Sequence, residues 1–98
     1  MRKVLRRSPQ SARDYEQIYR HIAADNPDAA AKLLRSFDEK LDLILDQPQI
    51  GEARPEVGKD VRVLVVHRNY LLLYRERAEV IELIRVLHTA RKHRARNA

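Results

Sequence analysis

The sequence runs Tyr70-Leu71-Leu72-Leu73-Tyr74-Arg75 and then Ile81-Glu82-Leu83-Ile84-Arg85-Val86-Leu87-His88, and these two stretches decide the fold. Both combine bulky apolar residues with few breakers, which is typical of β-strands. The polar segment between them is short enough for a hairpin, so we predict strands over Tyr70 to Arg75 and Val80 to His88. A third strand is predicted just upstream, over Val61 to Val66.

Two helices are predicted in the first half of the chain. Ser8-Pro9 supplies a hydroxyl cap followed by proline at the first helical position, and Asn26-Pro27 repeats that signal. Apolar residues recur at helical spacing after each cap, and the second helix should run to about Gln47, where Pro48 ends it. Because the turn between the helices is so short, they should pack antiparallel as a hairpin.

These elements predict one α+β domain over residues 1–98, in the order β-α-α-β-β-β. The first strand is a charge-rich edge strand within Arg2 to Arg7, and Pro48 to Gly58 forms a loop that holds both glycines. The helical hairpin should cover one face of a small antiparallel sheet. The other face should stay open, rimmed with arginine.

Composition limits the function classes. The chain has no cysteine, which excludes disulfides and thiolate chemistry, and its formal net charge is +6. Five of the basic residues lie between Ile84 and Ala98, where there is no acid, so we predict a basic C-terminal tail from about residue 89. Such a tail favours anionic partners but is equally common as a solvated end. No signal peptide or membrane span is evident, so we expect a soluble, cytoplasmic protein.

Several short motifs, in this order and spacing, closely resemble the ParE branch of the ParE/RelE bacterial toxin superfamily. They span Ser8-Pro9 to Arg91 and are Ile18-Tyr19-Arg20-His21-Ile22, Asn26-Pro27-Asp28-Ala29-Ala30, Pro48-Gln49-Ile50-Gly51, Arg54-Pro55-Glu56-Val57, Val61-Arg62, Asn69-Tyr70, Tyr74-Arg75 and Arg85-Val86-Leu87-His88.

The resemblance implies the toxin of a type II toxin–antitoxin pair. It implies inhibition of DNA gyrase by binding, and neutralisation by a ParD-like ribbon-helix-helix antitoxin in a hetero-oligomeric complex. The alternative is a RelE-like, ribosome-dependent mRNA endonuclease, because fold similarity alone does not decide between these activities. No groove-reading helix is recognised, so the chain alone should not bind DNA sequence-specifically.

Catalysis would need groups for proton transfer and cations for the phosphorane charge. The candidates are Arg62, Arg85 and His88, with His67 and Arg75 as further possibilities. In a regular strand Arg85 and His88 point to opposite faces, so they cooperate only if a bulge intervenes. RelE-like nucleases also tend to carry a lysine/arginine cluster and a C-terminal tyrosine, whereas here no tyrosine follows Tyr74 and the loop before Val61 has one lysine, Lys59. We therefore expect no catalytic residues.

Contact residues for both partners follow as expectations. Target binding is assigned to cationic residues of the sheet and tail, namely Arg62, Arg75, Arg85, His88 and Arg91. Antitoxin binding is assigned to apolar and aromatic residues of the hairpin and sheet, namely Tyr15, Tyr19, Ile22, Leu33, Phe37, Tyr70 and Tyr74. Each of these has a plainer role in packing or in surface ion pairs. No cofactor or metal is expected, since His21 and Asp25 would supply only two ligands.

Overall fold

A computed structural model describes residues 2–89 of the chain. The helices are α1 (Pro9–Ala23) and α2 (Pro27–Asp46), and the strands are β1 (Val4–Arg7), β2 (Glu52–Ala53), β3 (Val61–Val66), β4 (Tyr70–Glu76) and β5 (Val80–His88). The predicted helices and the three later strands are confirmed, with boundaries within a residue or so. Arg91 and most of the basic tail predicted from about residue 89 lie outside the described residues.

Both helix starts form as the sequence predicts. The Ser8 side chain accepts the backbone N–H of Ser11 at 3.0 Å, and the Asn26 side chain accepts that of Ala29 at 3.0 Å. Each cap satisfies a donor that the first helical turn would leave unpaired, and proline follows at a position that needs no N–H. The helices then pack as the expected antiparallel hairpin.

The sheet has five strands in the order β1-β5-β4-β3-β2. Two features differ from the prediction of a small antiparallel sheet. β1 pairs parallel to β5, which makes the sheet mixed, and the predicted loop contains the two-residue strand β2, which pairs antiparallel with β3. Strand direction depends on how the chain returns across the helical hairpin, and a two-residue strand has no periodicity to detect.

The main core lies between the helices and one face of the sheet. It joins Ile18, Phe37, Leu41 and Ile44 of the helices to Val66, Leu72, Tyr74, Ile81, Leu83 and Val86 of the strands. A second cluster of Val63, Leu71 and Leu73, with Ile84 and Leu87 against it, occupies the other face. The centre of that face is therefore more buried than the predicted open surface, although Val65 on β3 is 52% exposed.

Candidate functional site

Asp14 is a buried carboxylate that joins α1 to β5. Its Oδ2 atom accepts the Nε–H of Arg85 at 2.8 Å and the backbone N–H of Val86 at 2.9 Å, while its Oδ1 lies 3.1 Å from Arg85 Nη2. β1 ends opposite Leu83, so beyond that point β5 is paired with β4 on one side and has no strand on the other. On that unpaired side, the Ser8 hydroxyl donates to the Ile84 carbonyl at 2.7 Å, and the Asp14 carboxylate accepts the Val86 N–H. Side chains of the α1 region thus close this edge of the sheet.

The Asp14–Arg85 pair is held in its ionised form. Burial raises the pKa of the Asp14 carboxyl, but the hydrogen bonds from Arg85 and Val86 outweigh burial and leave that pKa below its ordinary value. The same hydrogen bond from Arg85 to Asp14 raises the pKa of the Arg85 guanidinium. Arg85 keeps 38% of its side chain exposed, whereas Asp14 keeps 5%.

Arg62 is directed toward the opposite edge of the sheet. Its Nη1 donates to the Gly51 carbonyl at 2.8 Å, in the segment that leads into β2. A cavity of about 270 Å³ lies beside it, and two of its lining residues are the acids Asp60 and Glu76. These carboxylates oppose the entry of a phosphate next to Arg62.

His88 belongs to a row of rings that we call the aromatic row: Tyr15, Phe37, Tyr70 and His88. Successive ring centroids are 5.4, 5.4 and 5.0 Å apart, and the His88 ring meets Tyr70 edge-on at 86°. Edge-to-face contact at this spacing is favourable packing between aromatic rings. The row runs from α1 through α2 to the end of β5, so His88 contributes to the contact between helices and sheet.

The three candidate nuclease residues, Arg62, Arg85 and His88, do not converge. The sheet does contain a bulge, but its register shift falls between Leu73 and Tyr74 of β4, opposite Ile84, which precedes Arg85. From Arg85 to His88 the pairing with β4 is regular, so their side chains leave opposite faces. Arg62 and Arg85 also stand on strands separated by β4, or about 10 Å of backbone, and bind at opposite sheet edges.

Arg75 lies on the far face of the sheet from the helices. Its Nη1 is 3.9 Å from a carboxylate oxygen of Glu82, at the limit of an ion pair. Its Nε is buried and has no hydrogen-bond partner within residues 2–89. Within residues 2–89, Arg75 is therefore held only by this distant ion pair, whereas Arg62 and Arg85 make close hydrogen bonds.

The residues expected to meet an antitoxin fall into three groups. Phe37 and Tyr74 are fully buried in the main core, so in this conformation neither offers surface to a partner. Tyr15, Ile22, Leu33 and Tyr70 are half-buried and pack against that core. Tyr19 is 40% exposed on α1.

Tyr15 lies on α1 at one end of the aromatic row and carries a hydroxyl group. Burial raises the pKa of its hydroxyl to about 12, against the lowering effect of Arg7, whose guanidinium lies 4.8 Å from the ring centroid. Its hydroxyl is also 3.3 Å from a carboxylate oxygen of Asp38.

Leu33 opens onto a groove of about 480 Å³ between α2 and the turn after β3. We call it the α2 groove, and its lining residues are Ala29, Lys32, Leu33, Arg35, Ser36, Glu39 and His67. His67 closes one end through a 2.8 Å hydrogen bond between its Nε2 and the Ser36 hydroxyl. The groove has an apolar floor and more basic than acidic residues on its rim.

Sequence reasoning missed two important features. Asp14 was not singled out, although it is an acid on the buried side of α1, and a buried carboxylate there requires a cationic partner. The second feature is the loop anchor, where the Tyr74 hydroxyl binds Gly51 and Pro48. Its only sequence signal is a glycine next to a proline-rich turn.

Residues 2–89 contain no group of three or more His, Cys, Asp or Glu side chains arranged to hold a metal ion. Over the same residues, neither helix has the length and apolar character that crossing a bilayer requires.

The chain is similar to known proteins in both sequence and fold. The family model described as "ParE toxin of type II toxin-antitoxin system, parDE" matches residues 5–93. A solved chain from "Chromosomal ParDE TA system from P. aeruginosa" superposes with a TM-score of 0.74 at 23% identity, covering 88% of this chain and 95% of that one. At this identity the superposition supports the fold alone, and no curated protein matches the sequence. Because the family model spans nearly the whole sequence, the chain belongs to the ParE family of type II toxins.

Proposed function

We propose that this ParE-family chain inhibits DNA gyrase by binding it, without catalysis of its own, and that a ParD-like ribbon-helix-helix antitoxin neutralises it. Family membership supports the toxin role. The observation that carries the non-catalytic mechanism is the separation of Arg62, Arg85 and His88. A metal-free ribonuclease needs its proton-transfer group and its cations around one phosphodiester, and here they are held apart by internal contacts.

The target surface proposed here is the cationic end of β5 and the region that follows it. Arg85 is partly exposed, and between Ile84 and Ala98 the sequence has five basic residues and no acid. Such a region favours approach to an anionic surface, and its contribution should weaken as salt rises. Arg75 and Arg91 are proposed as further contacts, and His88 supports this surface through its ring contact with Tyr70. Arg62 is bound at the opposite sheet edge and is left out of this surface.

The antitoxin surface proposed here is the α2 groove together with Tyr19 and Ile22 on α1. The groove offers an apolar floor at Leu33 and a rim with Lys32 and Arg35. An amphipathic segment with acidic residues fits that chemistry, because helix-in-groove recognition pairs apolar anchors with a complementary polar edge. Tyr19 would act as an aromatic anchor beside it.

A supercoiling assay with purified bacterial gyrase and relaxed plasmid tests the gyrase proposal. The wild-type protein should block supercoiling, and Arg85→Ala should raise the inhibitory concentration about tenfold or more. Arg20→Ala is the matched control, because Arg20 is an exposed arginine whose only ion pair within residues 2–89 is with Glu16 on the same helix. Unchanged supercoiling at excess wild-type protein would reject gyrase as the target.

Transcript ends mapped after expression test the alternative. We expect no codon-positioned cleavage in cells that make the wild-type toxin. Cleavage that disappears in His88→Ala or Arg62→Ala would identify an endonuclease and overturn the binding mechanism.

Antitoxin binding is tested with the co-purified toxin–antitoxin complex. Leu33→Asp and Tyr19→Ala should each weaken the complex, with losses of about 1 to 2 kcal/mol or more for a central anchor. Val57→Ala is the control, since Val57 is 47% exposed but lies in the loop between β2 and β3. Equal binding by all variants would place the antitoxin elsewhere.

A further inference from the structure

We propose that Asp14 is a positioning residue, which holds the Arg85 guanidinium in the orientation that contacts the target. This inference rests on the proposed gyrase inhibition and names a residue on which that inhibition depends. Asp14 itself is 4% exposed and so lies too deep to take part in the contact. Its effect on the target passes through Arg85.

Asp14 holds the Arg85 guanidinium in a defined geometry. Asp14 holds Arg85 through two donors, Nε at 2.8 Å and Nη2 at 3.1 Å, and is itself fixed by the Val86 N–H at 2.9 Å. Two bonds from a planar guanidinium define both its position and its plane, which one bond or a point charge does not. Arg85 is therefore preorganised along one side of its fork.

The contact with Asp14 leaves part of the Arg85 guanidinium available to a partner. No hydrogen bond within residues 2–89 involves Arg85 Nη1, and the side chain is 38% exposed. The part of the fork directed away from Asp14 can bind an anionic group of the target. An immobilised side chain loses less conformational freedom on binding than a free surface arginine, so preorganisation strengthens the contact.

Arg85 differs from the other two arginines of the sheet. Arg62 donates from its Nη1 to the Gly51 carbonyl, and Arg75 Nη1 lies 3.9 Å from a carboxylate oxygen of Glu82. Within residues 2–89, Arg62 is thus held through one donor alone, and Arg75 makes only a distant ion pair. Of these three arginines, only Arg85 is both held through two donors within residues 2–89 and partly exposed.

The test is a double-mutant cycle in the gyrase supercoiling assay, using Asp14→Asn, Arg85→Ala and the double variant. Asparagine can still accept the Val86 N–H, but its amide has no charge with which to grip Arg85. Asp14→Asn should raise the inhibitory concentration about tenfold. In the Arg85→Ala background it should add less than about twofold, because its route to the target is already gone.

Two controls separate positioning from folding. Glu16→Gln makes the same acid-to-amide change on α1 at an exposed residue and should leave inhibition unchanged. Thermal unfolding is measured to check that each variant is folded at the assay temperature, and antitoxin affinity is measured because a general structural effect would lower it as well. Positioning predicts that antitoxin affinity stays within about twofold of wild type while inhibition falls.

Arg85→Lys provides a second route if Asp14→Asn does not fold. Lysine keeps the positive charge but lacks the planar fork, so inhibition should fall about as far as in Arg85→Ala. Full inhibition by Arg85→Lys, or an equal loss from Asp14→Asn with and without Arg85, would overturn the inference. Failure of the wild-type protein to inhibit gyrase is a separate outcome, which rejects the proposed function and the inference together.

Discussion

The hydroxyl of Tyr74, at the centre of the sheet, accepts the backbone N–H of Gly51 at 2.8 Å and donates to the carbonyl of Pro48 at 2.7 Å. The whole Tyr74 side chain is buried. One residue of β4 therefore fixes the chain where it leaves α2 and turns toward β2. Burial raises the pKa of this hydroxyl, so it stays protonated and can keep donating to Pro48.

Tyr74→Phe should destabilise the protein by about 1 to 3 kcal/mol, because it leaves a buried N–H and a carbonyl without their partner. Urea denaturation measures the free energy of unfolding. Tyr19→Phe is the control, since Tyr19 is 40% exposed, and should change stability by less than about 0.5 kcal/mol. Equal stability of Tyr74→Phe and wild type would show that the loop does not depend on this hydroxyl.

Gly51→Ala should also be destabilising, by roughly 1 to 3 kcal/mol. An alanine Cβ at this position would lie 2.6 Å from the Tyr74 oxygen and 2.8 Å from its ring carbon Cε1, which is too close for non-bonded atoms. Gly58→Ala is a milder comparison, because its Cβ would approach Val61 Cγ2 at 3.1 Å. The cost of Gly51→Ala should shrink in the Tyr74→Phe background, where the oxygen is absent. Full additivity of the two changes would contradict the close contact.

Asp14 should make stability depend on acid pH. Its pKa is lowered in the folded state from an ordinary value of 3.8, so the folded protein favours the ionised form. The resulting stabilisation is present above about pH 4 and is lost as the pH falls through the lower folded value. Asp14→Asn should cost about 2 kcal/mol at pH 7, and the gap to wild type should narrow at pH 3. A gap that stays constant from pH 7 to pH 3 would rule out this linkage.

Tyr15 should make stability depend on alkaline pH, with stabilisation lost as the pH rises. Its pKa is raised, chiefly by burial, from 10.0 to about 12, so folding favours the neutral phenol. That stabilisation is complete below pH 10 and is lost as the pH rises toward 12. Wild type should therefore lose roughly 1 kcal/mol more than Tyr15→Phe between pH 9 and pH 11.5, after allowance for solvent screening. Ultraviolet titration of the phenol provides an independent check.

The candidate site was predictable only in part. The sequence singled out Arg85, and it predicted correctly that Arg85 and His88 leave opposite faces of β5. It gave no sign that Asp14 would hold Arg85, because those residues are 71 positions apart. It also assigned Phe37 and Tyr74 to antitoxin binding, and both are buried in the main core. Apolar residues have the same spacing whether they face the core or a partner.

By itself, the sequence determined the two helices and the longer strands, with their limits. Helix caps, prolines and the spacing of apolar residues act over three or four positions, so Ser8, Asn26 and Pro48 mark the helices without reference to the rest of the chain. Only the tertiary structure decided that β1 runs parallel to β5, that β2 extends the sheet, and that Arg62 and Arg85 are drawn to opposite edges. Each of these depends on contacts between distant residues, whose geometry is set when the hairpin packs onto the sheet.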